Sequence, residues 1–266
     1  MLCALVELDN LAIRDRFRAA MTLLLPIVFF IIAASYAAVG LGGGSAYLAV
    51  LSFWSYDPEV IRPIAWGLNI LTAGVGFINY YRAGHFSLRF SAPLVIGGIA
   101  GAATGARLPI STATFSWLLA VTFFLIALRM FSSGKPAPPP ARHRRPPWLI
   151  YVLLGFLVGM ISGLVGMGGG VILGPIILLF RQATVKTSAA MTSLYVALSS
   201  ASALGAHLLG RGTVDFYKLL GLGTVCLVAG YIGSRYGSQK ASPRTLQLVF
   251  GTLILAAAIR LAAINL

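Results

Sequence analysis

"GLVGMGGGVILGP", residues Gly163 to Pro175, sets three consecutive glycines inside a run that carries no charge from Pro146 to Phe180. Glycine in a helix costs roughly 1 kcal/mol against alanine, so Gly168 to Gly170 predict a break in that run. As a helix, the segment Val171 to Phe180 would rise only about 15 Å, half of a hydrocarbon core of about 30 Å. The stretch therefore predicts a hairpin with unequal arms and a glycine tip. Non-helical backbone at membrane depth is tolerated only where it is enclosed by protein or lines a cavity.

Working outward, the 266-residue chain is 58% hydrophobic and 10% charged, with a mean hydropathy of +0.90. That composition predicts an all-α integral membrane protein. Its charges bound eight windows free of Asp, Glu, Lys and Arg: 19–56, 63–81, 90–106, 108–128, 146–180, 187–210, 219–234 and 245–259. The net charge of +14 raises the question of nucleic acid. The basic residues stand singly at window ends, however, as membrane flanks facing lipid headgroups do, so no nucleic-acid partner is expected. Cys3 and Cys226 are too few and too far apart for a disulfide framework or a thiolate metal site. No cofactor, metal, catalytic triad or P-loop is expected, because "GMGGG" lacks a following Gly-Lys-Ser/Thr. Residues 1–20 mix acidic and basic side chains without a cleavage pattern and read as an interfacial segment rather than a secretory signal.

The glycine triplet occurs twice. Laying "GLGGGSAYLAVLSFW" (Gly40 to Trp54) on "GMGGGVILGPIILLF" (Gly166 to Phe180) makes the triplets coincide. With small gaps the match continues, Arg62 on Lys186, Asn69 on Ser193, Gly84 on Gly212 and Arg107 on Arg235. Two homologous halves follow, 21–133 and 148–266, joined by a Pro/Arg-rich linker over 134–147. Each half offers five apolar segments: 20–39, 45–56, 62–81, 90–107 and 113–131, then 148–166, 171–180, 186–208, 217–234 and 244–263. If each hairpin returns to its own side, the halves are inverted repeats, a common transporter plan; if not, they are parallel. The Lys/Arg distribution does not choose between these, although both place Arg82 to Arg89 and Arg142 to Arg145 in the cytoplasm. Inversion is preferred because it brings the two glycine tips together from opposite sides.

Glycines bare backbone N–H groups at the positive end of each short helix, where an anion docks readily. Close helix packing is the rival explanation of one triplet, less so of two in matching positions. The candidate substrate-binding set is Gly42, Gly43, Gly44, Gly168, Gly169 and Gly170 with Asn69, Thr72, Ser188, Thr192 and Ser193 on the helices that follow. Arg62 and Lys186, with Arg107 and Arg235, are candidates for attracting or gating an anion, against an ordinary role as flanking residues. His207 is the one histidine of the second half and is a candidate for titration near neutral pH.

The duplicated glycine blocks, each followed by a long helix with, in the second half, the small-polar motif "KTSAAMTSL" (Lys186 to Leu194), resemble the sulfite exporter TauE/SafE family of bacterial permeases. The resemblance covers nearly the whole chain from about Thr22, apart from the linker. The first half departs from the motif, with "RPIAWGLNI" (Arg62 to Ile70) in the matching place. The resemblance implies a secondary transporter, an exporter in the first instance, of small sulfur-containing or organic anions such as sulfite or sulfonates. It also implies the bacterial inner membrane as location. A channel, or a membrane scaffold without transport activity, is the alternative.

Overall fold

The structure is a computed structural model that describes residues 24–51, 58–108, 147–180, 182–210 and 212–242, with positions 245, 248, 252 and 255 beyond them. The N-terminal segment, the linker, the fifth apolar segment of the first half and nearly all of 244–263 lie outside the described residues. Among the described residues every regular element is helical: α1 Leu24–Ala38, α2 Gly44–Leu51, α3 Pro58–Arg82, α4 Leu88–Arg107, α5 Trp148–Val165, α6 Gly170–Leu179, α7 Val185–Leu209 and α8 Phe216–Arg235. A single π turn, Tyr236–Lys240, continues α8. Five helices are long and apolar enough to span a membrane, α3, α4, α5, α7 and α8 with its π turn. At 8 and 10 residues α2 and α6 reach only about 12 and 15 Å.

Polar groups close the helix ends that the apolar pattern leaves open. Thr184 caps α7 by accepting the Thr187 N–H at 3.2 Å, and Asp215 caps α8 by accepting the Lys218 N–H at 3.1 Å. That N–H, followed by the Lys218 side chain, holds the Asp215 carboxyl below its usual range. α5 stops where Gly166 turns left-handed at φ 90° and returns its N–H to the Ser162 carbonyl at 2.8 Å. α3 and α7 are the most enclosed spans, whereas α5 and α8 expose Leu149, Leu153 and Leu157, and Leu220, Leu227 and Ile232, as a lipid-facing surface does.

The contacts fix direction. α3 and α7 run antiparallel: Trp66 clusters with Ala203, Ala73 with Val196, Gly76 lies beside Ser193, and Tyr80 clusters with Ala189. α4 and α5 run parallel in backbone contact. A Cβ on Gly97, Gly101 or Gly105 would strike the carbonyls of Val152, Phe156 or Met160, and one on Gly155, Gly159 or Gly163 those of Leu94, Gly98 or Ala102. α1 and α8 meet the same way, Gly233 on the Ala34 carbonyl and Gly237 on that of Ala38. Small residues at this four-residue spacing let backbones approach where lipid supplies no hydrophobic drive between helices.

Not every glycine serves such a contact. A Cβ on Gly74 or Gly205, both inside helices, meets nothing within 4 Å. Gly74→Ala and Gly205→Ala are therefore expected to leave stability unchanged or to raise it by up to about 1 kcal/mol through helix propensity, as read from the thermal midpoint in detergent.

Candidate functional site

Both glycine segments depend on backbone that only glycine adopts freely. Gly42 and Gly43 have φ of 83° and 125°, and their counterparts Gly168 and Gly169 have 78° and 77°. From these turns the short helices start in the same way. Ala46 and Tyr47 return their N–H groups to the Gly43 carbonyl at 3.0 and 2.9 Å, and Ile172 and Leu173 return theirs to Gly169 at 3.1 and 2.9 Å. The N–H groups before them belong to the orphan set at a helix N-terminus.

The two turns touch. A Cβ on Gly44 would stand 2.7 Å from the Met167 carbonyl oxygen, and one on Gly170 would stand 3.2 Å from that of Leu41. Asn69 of α3 lies between them. Its Oδ1 is 2.9 Å from where a Gly42 Cβ would be, and its Nδ2 is 2.7 Å from the same point on Gly168. The Asn69 side chain is fully buried, yet neither amide atom has a hydrogen-bond partner in the protein. Ser193 Oγ, Ser200 Oγ and Trp66 Nε1 share that condition. Ser200 Oγ lies 3.2 Å from the Gly168 Cβ position, and Ser193 Oγ lies 3.3 Å from that of Gly76. Four buried side chains on the facing surfaces of α3 and α7 thus hold polar atoms without partners, where one such group is already costly.

Hydroxyls brace the turns through equivalent carbonyls. Tyr47 donates to Gly42 O at 3.2 Å and shares a 2.9 Å hydrogen bond with Thr72, while Ser199 donates to Gly168 O at 3.2 Å. Phe29 stacks on Tyr47 with ring centroids 5.3 Å apart, and Tyr195, beside Gly169, donates to Gly155 O at 2.7 Å.

The structure brings Gly42, Gly44, Gly168, Gly170 and Asn69 of the predicted set to one place. Gly43 and Gly169 are turned toward the rings of Tyr47 and Tyr195. Three of the predicted hydroxyls are engaged elsewhere. Thr192 bonds the Ser188 and Ala189 carbonyls of its own helix at 2.8 and 3.2 Å, Ser188 reaches Gly174 O at 3.5 Å, and Thr72 pairs with Tyr47. Arg62 donates to Leu164 O, in the last turn of α5, at 3.1 Å, and Lys186 donates to Ser238 O at 3.1 Å, beside His85 at 3.2 Å. Arg107 and Arg235 are exposed at helix ends, Arg235 holding the Tyr231 hydroxyl at 2.6 Å. His207 contacts Thr213 O at 3.3 Å and meets Trp66 edge-on, centroids 5.8 Å apart. Among the described residues no three His, Cys, Asp or Glu side chains gather to hold a metal.

Sequence reasoning missed Trp66 and Ser200. Both were signalled by spacing, since Trp66 precedes Asn69 by three residues and Ser200 follows Ser193 by seven, each on its neighbour's helix face. Spans of this length with lipid-compatible outer faces define a multi-pass membrane protein. The sulfite exporter TauE/SafE family matches residues 25–261. The "probable membrane transporter protein y4hK" of Sinorhizobium fredii (strain NBRC 101917 / NGR234) is 30% identical over 240 residues, 89% of this chain and 96% of that protein. No solved structure matches. The chain belongs to the TauE/SafE family, a family of multi-pass bacterial membrane transporters rather than of enzymes.

Proposed function

We propose that the chain is a secondary transporter, working as an exporter, of small sulfur-containing or organic anions such as sulfite or a sulfonate. The anion binds where the two glycine turns meet Asn69. The observation that carries this reading is the fully buried, unpartnered Asn69 amide between two helix N-termini. The substrate-binding set is Gly42 to Gly44, Gly168 to Gly170 and Asn69, joined by Ser200, with Ser193 and Trp66 further along the same two helices; Thr72 supports the first turn through Tyr47, while Ser188 and Thr192 bond to carbonyls of α6 and α7. Arg62 and Lys186 steady the ends of the path through the Leu164 and Ser238 carbonyls.

The site lies between two inverted halves, 21–133 and 148–266. Reciprocal contacts support this division: Gly44 on Met167 mirrors Gly170 on Leu41, and Gly105 on Met160 mirrors Gly233 on Ala34. The antiparallel course of the matching helices α3 and α7 supports inversion.

No carboxylate stands in any of the eight apolar windows, so a dedicated proton or sodium carrier is missing from the sequence where such carriers keep one. The anion then moves on its own charge, at about 2.3 kcal/mol per charge per 100 mV. Purified protein in liposomes with an imposed potential, and no pH or sodium gradient, is expected to give saturable anion flux toward the positive side. Flux that responds only to sodium overturns the coupling. Conductance far above carrier turnover makes the protein a channel, and no flux leaves a scaffold.

A further inference from the structure

The unpartnered groups between α3 and α7 also specify the form of the anion, an inference that rests on the permease reading above. We propose that the site selects a singly charged oxyanion that carries its own hydrogen-bond donor. Hydrogensulfite fits this class, and a dianion or an anion with acceptors alone does not.

Charge comes first. The stretches 63–81 of α3 and 187–210 of α7 contain no Lys, Arg, Asp or Glu. The cations that bound them, Arg62 and Lys186, reach helix-end carbonyls at Leu164 and Ser238. The anion is therefore held by neutral dipoles. Desolvation of an ion grows with the square of its charge, so a site of neutral donors that holds a monoanion rejects a dianion of the same size.

Donor and acceptor count comes second. The carbonyls of Gly42 and Gly168, which would repel an anion, are covered by the Tyr47 and Ser199 hydroxyls. What remains around Asn69 is rich in donors: the turn N–H groups, the Asn69 NH₂ and the adaptable hydroxyl of Ser200, which with Asn69 lies beside Gly168. One group is an acceptor. In the orientation it takes here, the Asn69 amide presents a carbonyl oxygen, Oδ1, with no partner in the protein. An oxyanion with acceptors only would leave that oxygen unpaired and set it against negative charge. A hydrogen-bearing oxyanion donates to it while its other oxygens take the N–H groups. A site built to bond a substrate hydrogen discriminates strongly against the analogue without it, because its own buried group is stranded.

Counterflow of labelled sulfite into proteoliposomes holding the full chain, corrected with protein-free vesicles, tests this across pH. At fixed subsaturating total sulfite, the initial rate is expected to follow the hydrogen form, falling about tenfold per pH unit above the second ionisation. Methanesulfonate, of equal charge and similar shape but without a donor, should compete at least about tenfold more weakly than hydrogensulfite, and sulfate more weakly still. In Asn69→Ala the preference for hydrogensulfite over methanesulfonate should shrink toward one. Saturable flux that tracks total sulfite, or equal competition by methanesulfonate in the unaltered protein, overturns the selection and leaves the permease reading standing. No saturable flux of any of the three anions at any pH overturns the permease reading itself.

Discussion

Gly44→Ala is expected to lower anion flux in proteoliposomes by more than about a hundredfold, about 2.8 kcal/mol of lost function, while the chain stays folded in the membrane. Gly44 is the first residue of α2 and has an ordinary helical backbone, so alanine brings no conformational strain and gains a little helix propensity. The whole effect comes from one methyl group. It would stand 2.7 Å from the Met167 carbonyl oxygen and press on the Asn69 amide, so the two glycine turns must move apart. Gly170→Ala is the matched test, its methyl meeting Val196 Cγ2 at 2.6 Å and the Leu41 carbonyl at 3.2 Å. A β-branched side chain in a helix has little rotamer freedom, so Val196 cannot swing aside and a comparable loss is expected. Gly169→Leu is a poorer probe, because leucine there must adopt φ near 77° with its Cβ 2.8 Å from the Tyr195 ring, which harms folding as well as function. Initial rates, with the thermal midpoint of the same preparation, separate the two effects. Full flux from folded Gly44→Ala protein would remove the turn contact from the mechanism.

The helices were legible because charge and glycine bound them. The apolar windows ending at Arg82, Arg107 and Arg235 become α3, α4 and α8 with those arginines as their last residues. The glycine triplets read as breaks, and the first two residues of each, Gly42 and Gly43, Gly168 and Gly169, take φ values that favour glycine. Which side chain faces which was much less legible. α6 and α7 are apolar or small on nearly every face, so periodicity carries no direction for them. Hydroxyls in apolar helices often turn back to the carbonyl four residues earlier, as Thr192 does to Ser188, and sequence cannot separate these from hydroxyls left without a partner, such as Ser193. Arg62 illustrates a further limit. Its hydrogen bond to Leu164 spans 102 positions in sequence and joins two halves whose apposition only the fold supplies.

Gly105→Leu and Gly233→Leu are expected to destabilise the protein severely and to a similar degree. Gly105 lies against the Met160 carbonyl of α5 and Gly233 against the Ala34 carbonyl of α1, both closer than any Cβ allows. The obstacle is backbone within a helix, so neither partner relaxes by changing a rotamer, and the cost lies at or above the upper end of the roughly 1 to 3 kcal/mol usual for overpacking. Against a total stability of about 5 to 15 kcal/mol, that is a large fraction. A fall of at least about 6 °C in thermal midpoint is expected for each, taking roughly 2 °C per kcal/mol for a chain of this size, together with lower yield from the membrane. Gly74→Ala, with no neighbour within 4 Å, supplies the control. The comparison between the two leucine variants tests the division of the chain. α4 meets α5 across the linker, and α1 meets α8 across the whole length of the molecule. If the halves are copies, these are one contact made twice and the two losses should agree within about 1 kcal/mol. An unchanged midpoint in either variant would refute the close packing at that interface. Two large but clearly unequal losses would leave the packing intact and count against the equivalence of the halves.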